Sequence, residues 1–241
     1  LRIGIAQMFI TDSLQNNETA ILQLADEAAR KGIEILACPE MCLTGYNPET
    51  LGRPGFNNEL AASLARIARA ARELNLGIIF GRAEFCGEKL FNTASIFLPD
   101  GSNFNYRKMH LTEIETEYFS PGTSPLVFNF KNHKFGLIIC RDQNSPELAR
   151  SLAAAGAEAI FILAAHYYNP AEARWKLPKN RALPIARAVE NHFYVLLANA
   201  VGCHLGMVSL GNSLIAGPDG SLVVMGDETS ETILACEFKP D

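Results

Sequence analysis

The segment Lys134-Phe-Gly-Leu-Ile-Ile-Cys140-Arg-Asp-Gln-Asn-Ser-Pro-Glu147 places a thiol where an apolar strand gives way to a helix. Residues 135–139 form an apolar run of the kind that is buried on both faces of a sheet. Ser145-Pro146-Glu147 has the chemistry of a helix start: a hydroxyl to cap, proline in the first turn and an acid beside the positive end. Ligands of open α/β sheets collect at the carboxyl ends of strands. A thiol at that place faces backbone N–H groups and a helix N-terminus, which predicts a shift toward thiolate. The competing reading is a free cysteine packed as a small hydrophobe.

Outward from this segment, strands and helices alternate. Strands are expected at 2–8, 33–38, 77–85, 92–98, 104–108, 126–130, 135–140, 159–163 and 193–198, then near 208–216, 221–225 and 231–236. Ala20, Ile21, Leu24, Ala25 and Ala28 recur at helical spacing within 17–31, and Gly32 ends that helix. Leu60, Leu64, Ile67, Ala71 and Leu74 mark a second helix, and others are expected at 146–155 and 171–191. In the last, Pro178 and Pro184 must start, kink or divide the helix. The alternation predicts an α/β protein with sheets inside and helices outside. No linker-like stretch divides the 241 residues, so 1–241 is read as one domain.

A hydrophobic content of 48% is enough for a large core, and a net charge of −5 offers no basic field for nucleic acid. No apolar run reaches membrane-spanning length. The six cysteines are scattered and no signal-peptide pattern is present, which gives an expectation of a reducing, cytoplasmic setting. Cys38 and Cys42 have C-x3-C spacing, but no second close pair follows to complete four metal ligands.

Two further strand ends carry reactive groups. Cys38-Pro39-Glu40 sets a carboxylate after one strand, and Asn105-Tyr-Arg-Lys108-Met-His110 sets an amine after another. Together with Cys140 they form a coherent trio. Glu40 can take the thiol proton, while Lys108 and the backbone N–H of Arg141 can hold a developing oxyanion. A Cys–His dyad using His110 or His166 competes with it. Glycine-rich phosphate loops and G-x-S-x-G are absent.

The three stretches together resemble the nitrilase, or carbon–nitrogen hydrolase, superfamily. The matching segments are Cys38-Pro-Glu40 with Leu43-Thr-Gly-Tyr46, Tyr106-Arg-Lys108-Met-His-Leu111, and Ile139-Cys140-Arg-Asp142 with Pro146-Glu147. Tyr118-Phe-Ser-Pro-Gly122, Arg187-Ala-Val-Glu-Asn191, Asn199 and Gly211-Asn-Ser-Leu-Ile-Ala-Gly-Pro218 add support, in the family's order. The resemblance implies a four-layer αββα sandwich, with two mixed β-sheets flanked by helices. It also implies a Glu40–Lys108–Cys140 triad and a second glutamate, best fitted by Glu115 with Glu113 and Glu117 as neighbours. Tyr46, Arg141 and His166 are read as substrate- or oxyanion-binding residues, and His166-Tyr-Tyr-Asn169 and Trp175, placed after a strand end, as pocket candidates or a packed aromatic cluster.

By the same resemblance, the reaction is cofactor-independent hydrolysis of an amide or N-carbamoyl compound through a cysteine thioester. The partners are a small substrate and, in a homodimer or larger assembly, further copies of the chain. Asp142 with Gln143 looks more like the amidase and carbamoylase branches than true nitrilases. Gln143 and Asn144 replace the arginines that hold the carboxylate of carbamoyl-D-amino acids. A nitrile hydrolase on the same triad, and a non-catalytic binding protein keeping the fold, are the alternatives.

Overall fold

The computed structural model describes residues 1–240. In chain order the elements are β1 (Arg2–Gln7), α1 (Leu14–Arg30), β2 (Ile35–Ala37), α2 (Pro48–Gly52), α3 (Phe56–Glu73), β3 (Gly77–Cys86), β4 (Lys89–Phe97) and β5 (Asn103–Arg107). There follow β6 (Leu126–Phe130), β7 (His133–Ile139), α4 (Pro146–Ala154), β8 (Ala159–Ala164), α5 (Pro170–Asn191), β9 (Tyr194–Asn199), β10 (Val201–His204), β11 (Met207–Leu210), β12 (Leu214–Ala216), β13 (Leu222–Met225) and β14 (Thr232–Glu237). Two six-stranded sheets form, ordered β14-β1-β2-β3-β4-β5 and β13-β12-β9-β8-β7-β6. In each, three parallel strands are flanked by antiparallel ones.

The period-two alternation of strand side chains divides the core into three apolar layers. Ile3, Ile5, Phe135, Leu137, Ile139 and Phe161 pack between the sheets. Ala6, Leu36 and Phe80 face the other way, onto Ile21 and Ala25 of α1 and Ile67 of α3. Ile138, Ile160 and Ile162 face Leu148 and Leu152 of α4 and Ala188 of α5. Both faces of both sheets are thus covered, and the expected four-layer αββα sandwich is formed.

This topology gathers the loops of interest at one end. β1, β2 and β3 run parallel, and β5, two antiparallel steps from β3, runs the same way. The carboxyl ends of β2 and β5 therefore share an edge. β7, β8 and β9 share an edge in the other sheet. A parallel bridge between Met8 and Ala200, with the Val201 N–H donating to Met8 O at 3.0 Å, brings the two edges together.

Several boundaries differ from the sequence reading. α1 begins at Leu14, because Ser13 caps it by accepting from the Asn16 N–H. The expected strand at 208–216 is two strands, broken at Gly211 and Asn212, whose φ values are +52° and +57°. A β10–β11 hairpin and the short α2 were not anticipated. α5 is one helix containing both prolines. Each removes one backbone donor, and the rest of the helix, packed on β9 and α4, absorbs the loss.

Between α1 and α3, buried Glu18 accepts from Ser63 Oγ at 2.6 Å and from Arg66 at 2.7 Å. The Arg66 hydrogen bond outweighs burial and lowers the Glu18 pKa. A depressed folded pKa gives stability that is present above the unfolded value and lost as pH falls through the folded one. Glu18→Gln should therefore cost about 1–3 kcal/mol at neutral pH. That deficit should close as pH falls below about 4.3, which denaturant titrations at several pH values will check.

Candidate active site

Glu40 lies in a tight loop after β2 in which Met41 has φ +52° and Gly45 φ +65°. Backbone bonds fasten this loop to β3: Cys38 N–H to Ile79 O at 2.7 Å, Gly81 N–H to Pro39 O at 3.1 Å and Leu43 N–H to Gly81 O at 3.0 Å. The approach is so close that a Cβ on Gly81 would lie 2.1 Å from the Met41 nitrogen. Lys108 follows β5 and is clamped in the same way. Its N–H donates to Asn92 O at 2.8 Å and its carbonyl accepts from Gly122 N–H at 2.7 Å. A Cβ on Gly122 would lie 2.1 Å from Arg107 O.

Cys140 opens a 3₁₀ turn, Cys140–Asn144, with φ +45°. A non-glycine residue in the left-handed region costs about 1–2 kcal/mol. Asp142 is fully buried and holds the turn closed. It accepts from Ile139 N–H at 3.0 Å, from the Tyr106 hydroxyl at 2.7 Å and from His110 N–H at 2.8 Å. It also meets His110 Nδ1 at 2.9 Å. The Cys140 turn is thereby tied to both sides of the Lys108 segment. Arg187, from α5, donates to Gln143 O at 2.9 Å and braces the turn from behind.

Four polar side chains converge. Lys108 Nζ donates to Glu40 Oε1 at 2.7 Å and to both Glu115 oxygens at 2.8 Å. Asn92 Nδ2 donates to Glu40 Oε1 at 2.7 Å and to Glu115 Oε1 at 2.8 Å. The Ala165 N–H, just past β8, donates to Glu40 Oε2 at 3.0 Å, and Thr112 N–H to Glu115 Oε2 at 2.9 Å. With two carboxylates and one ammonium, the cluster carries net negative charge next to the thiol.

That charge sets the protonation states. Burial, opposed by Lys108 and reinforced by Glu115, raises the Glu40 pKa. For Glu115 burial also pushes upward, but Lys108, Thr112 and Asn92 outweigh it and leave the carboxyl below its ordinary range. Burial works against the Lys108 ammonium, and the surrounding Glu40, Cys140 and Glu115 overcome it and raise its pKa. Burial and then Glu40 push the Cys140 thiol well up, against Lys108 and the Ala165 amide. The expected shift toward thiolate is thus opposed. α4 begins only at Pro146, beyond the 3₁₀ turn, and the nearest charges sum to negative.

The cluster forms the floor of an open cavity of about 790 Å³. Glu40, Lys108, Glu115, Cys140 and Tyr46 all line it. Burial and then the Glu40 charge keep the Tyr46 phenol protonated. Arg141 has an exposed side chain, so its contribution is limited to the backbone N–H, which lies at the start of a helical turn where donors lack internal acceptors. His166 is not among the lining residues. It is buried behind the wall, its Nε2 3.2 Å from Gln143 Nε2, and burial pushes its pKa down to about 3. His110 is held by Asp142 and is not a lining residue either, so the geometry offers no Cys–His pair. Glu113 and Glu117 take no part in the cluster, whereas Glu115 does.

Sequence reasoning passed over Asn92, Ala165 and Gly81, and met Gly122 only as the end of a matching segment. Asn92 left one usable signal, an amide side chain inside a strand, where asparagine is depleted. The others act through the backbone and leave no side-chain signature.

A family model described as carbon-nitrogen hydrolase matches residues 2–241. A protein of Pyrococcus abyssi named nitrilase is 35% identical over 224 residues, covering 90% of this chain and 80% of that protein. A Xenopus laevis protein named omega-amidase is 32% identical over 256 residues, covering 98% and 88%. Among solved structures, a mutant of the amidase from Nesterenkonia sp. AN1 showing Michael addition of acrylamide at its active-site cysteine is 25% identical, with TM-score 0.89, covering 100% of this chain and 94% of that one. Another mutant of that amidase, in complex with butyramide, is also 25% identical, with TM-score 0.88 and coverage of 100% and 91%.

Gly81→Ala and Gly122→Ala should each displace the backbone carrying Glu40 or Lys108. Each is expected to cost about 1–3 kcal/mol of stability. The Glu40–Lys108 contact should be lost with it, to be checked by thermal melting and by a crystal structure of either variant.

Proposed function

We propose that this chain, which belongs to the carbon–nitrogen hydrolase family, hydrolyses primary amides through a Cys140 thioester. The observation that carries this reading is the buried Lys108 ammonium, held at 2.7–2.8 Å by Glu40 and Glu115 on the floor of a cavity that Cys140 also lines. The thiol is protonated at rest, so its proton must leave as it attacks, and Glu40 is the buried base beside it.

In the proposed sequence, Glu40 takes the Sγ proton while Sγ bonds to the amide carbon. The carbonyl π pair moves onto oxygen, where Lys108 and the Arg141 N–H stabilise it. The C–N bond then breaks as Glu40 returns the proton to nitrogen, and ammonia leaves. In the second half, Glu40 removes a proton from water, hydroxide adds to the thioester, and the thiolate departs and is reprotonated. An elevated Glu40 pKa suits a group that must both accept and return a proton. Glu115, held ionised, keeps Lys108 charged and aligned. Tyr46 stands beside Glu40, and burial and the Glu40 charge keep its phenol protonated.

Nitrile hydrolysis is the second reading, supported by the Pyrococcus abyssi relative's name. The same thiol would add to the nitrile carbon. The residue two past the nucleophile bears on substrate choice only indirectly, since Asp142 is buried and spent on the turn.

Ammonia release from a panel of primary amides, N-carbamoyl amines and nitriles tests the proposal. Release from amides is expected, falling at least about a thousandfold in Cys140→Ala and in Glu40→Gln. Release from nitriles alone would overturn the amide reading. Because Glu40 must be ionised to accept the thiol proton and its pKa is raised, activity should be lost as pH falls through a value above the ordinary carboxylate range. A pH profile of kcat/KM whose acid limb lies near 4.3 or below would remove Glu40 as the base.

A further inference from the structure

The cavity walls are chemically unlike its floor. Phe85, Leu90, Ile114, Phe119, Leu205 and Met207 line it above the polar cluster. Several of these side chains reach solvent at the rim: Ile114 is 70% exposed and Leu205 47%. Leu205 is also held at φ +49° in the β10–β11 turn, a conformation that aims an apolar side chain at the mouth at a cost in backbone strain. Contiguous exposed apolar surface around a concave site marks a binding surface.

Each ammonium that lines the cavity already has a carboxylate partner. Lys108 is bound by Glu40 and Glu115. Lys176 Nζ lies 2.8 Å from Glu172 Oε1 and 4.5 Å from the centre of the Tyr168 ring. His204, on β10, lies 3.6 Å from Asp12 Oδ1, and burial lowers its pKa, so it is neutral near pH 7. A substrate carboxylate would have to displace Glu172 or compete with two buried carboxylates, and a substrate ammonium would find each carboxylate already held by Lys108, Asn92 or Lys176. Either leaves a charge without its partner in a largely apolar surround.

We propose that the site selects uncharged primary amides whose acyl group is an extended apolar chain, and disfavours amides carrying a second carboxylate or an ammonium. This rests on the amide hydrolase reading above. The acyl group stays in the site as the thioester after ammonia has left, so contacts between its chain and the cavity walls act in both half-reactions.

Ammonia release from acetamide, butyramide and hexanamide, alongside adipic acid monoamide and 5-aminopentanamide, tests the inference. The chain-length series should rise about three- to fourfold in kcat/KM per methylene. Both charged amides should fall at least about tenfold below hexanamide. Ile114→Asp, at an exposed position that tolerates polarity, should lower the hexanamide-to-butyramide ratio, and Leu205→Asp, at a second lining position, should do the same. Calorimetric binding of the same amides to Cys140→Ala reads the preference without turnover, and affinity should rise with chain length. Ammonia release with a flat or falling series, or with the monocarboxylate amide preferred, would overturn this inference and leave the hydrolase reading standing. Release from no amide at all, with no amide binding to Cys140→Ala, would overturn both.

Discussion

One buried ammonium, Lys108, sits between two buried carboxylates, and most of the molecule's unusual features serve that contact. Removing three charges from water costs several kcal/mol each before any attraction is counted. The cost is met only if every oxygen and every ammonium proton finds a partner at good distance. Asn92, Ala165 and Thr112 supply the remaining donors to Glu40 and Glu115. The glycines at 81 and 122 let the two carrier loops approach their neighbours closely enough for those distances to be met. Three apolar layers hold the strand ends still, and the strand ends hold the charges.

The nucleophile depends on the same contact through a different residue. Asp142 never reaches the cavity, yet it joins the Cys140 turn to Tyr106 and His110, on either side of Lys108. Movement of the lysine segment would therefore pull on the cysteine. The left-handed conformation of Cys140 is a local cost that this knot sustains. Burial, and then the Glu40 charge, push the thiol toward its protonated form, so a base acts during attack rather than before it.

How much of this could be read from the sequence depended on how far each feature is local. The run 135–139 and the cap at Ser145-Pro146 are local, and both stand as read. Alternation of strand and helix gave sheets inside and helices outside, and the four-layer αββα arrangement came from the family resemblance. The approach of Glu40 to Lys108 is not local, and it was reached from strand-end chemistry and a resemblance rather than from spacing. The expected shift toward thiolate counted a helix start without the burial of the thiol and without the carboxylates that arrive from other strands. His166 was misplaced because one residue's shift along a loop decides which side chain faces the cavity: its neighbours Tyr167 and Tyr168 line the wall and it does not. The β10–β11 hairpin escaped notice because Leu205-Gly206 is a weak turn signal within an apolar region.

The pairing of β1 with β14 joins residues that lie far apart in the chain, with Ile5 opposite Leu234 and Arg2 opposite Glu237. β1 also anchors the parallel core of its sheet, and Gln7 at its end reaches the backbone of Asp227 and Ser230. On a ribosome adding about 5–20 residues per second, the β1 edge waits on the order of 10–50 s for its partner. Until then it presents unpaired backbone donors and acceptors to any other chain nearby. The edge of the sheet that carries Glu40 and Lys108 is therefore covered by a strand made long after it, and in the interval intermolecular strand pairing competes with the native partner.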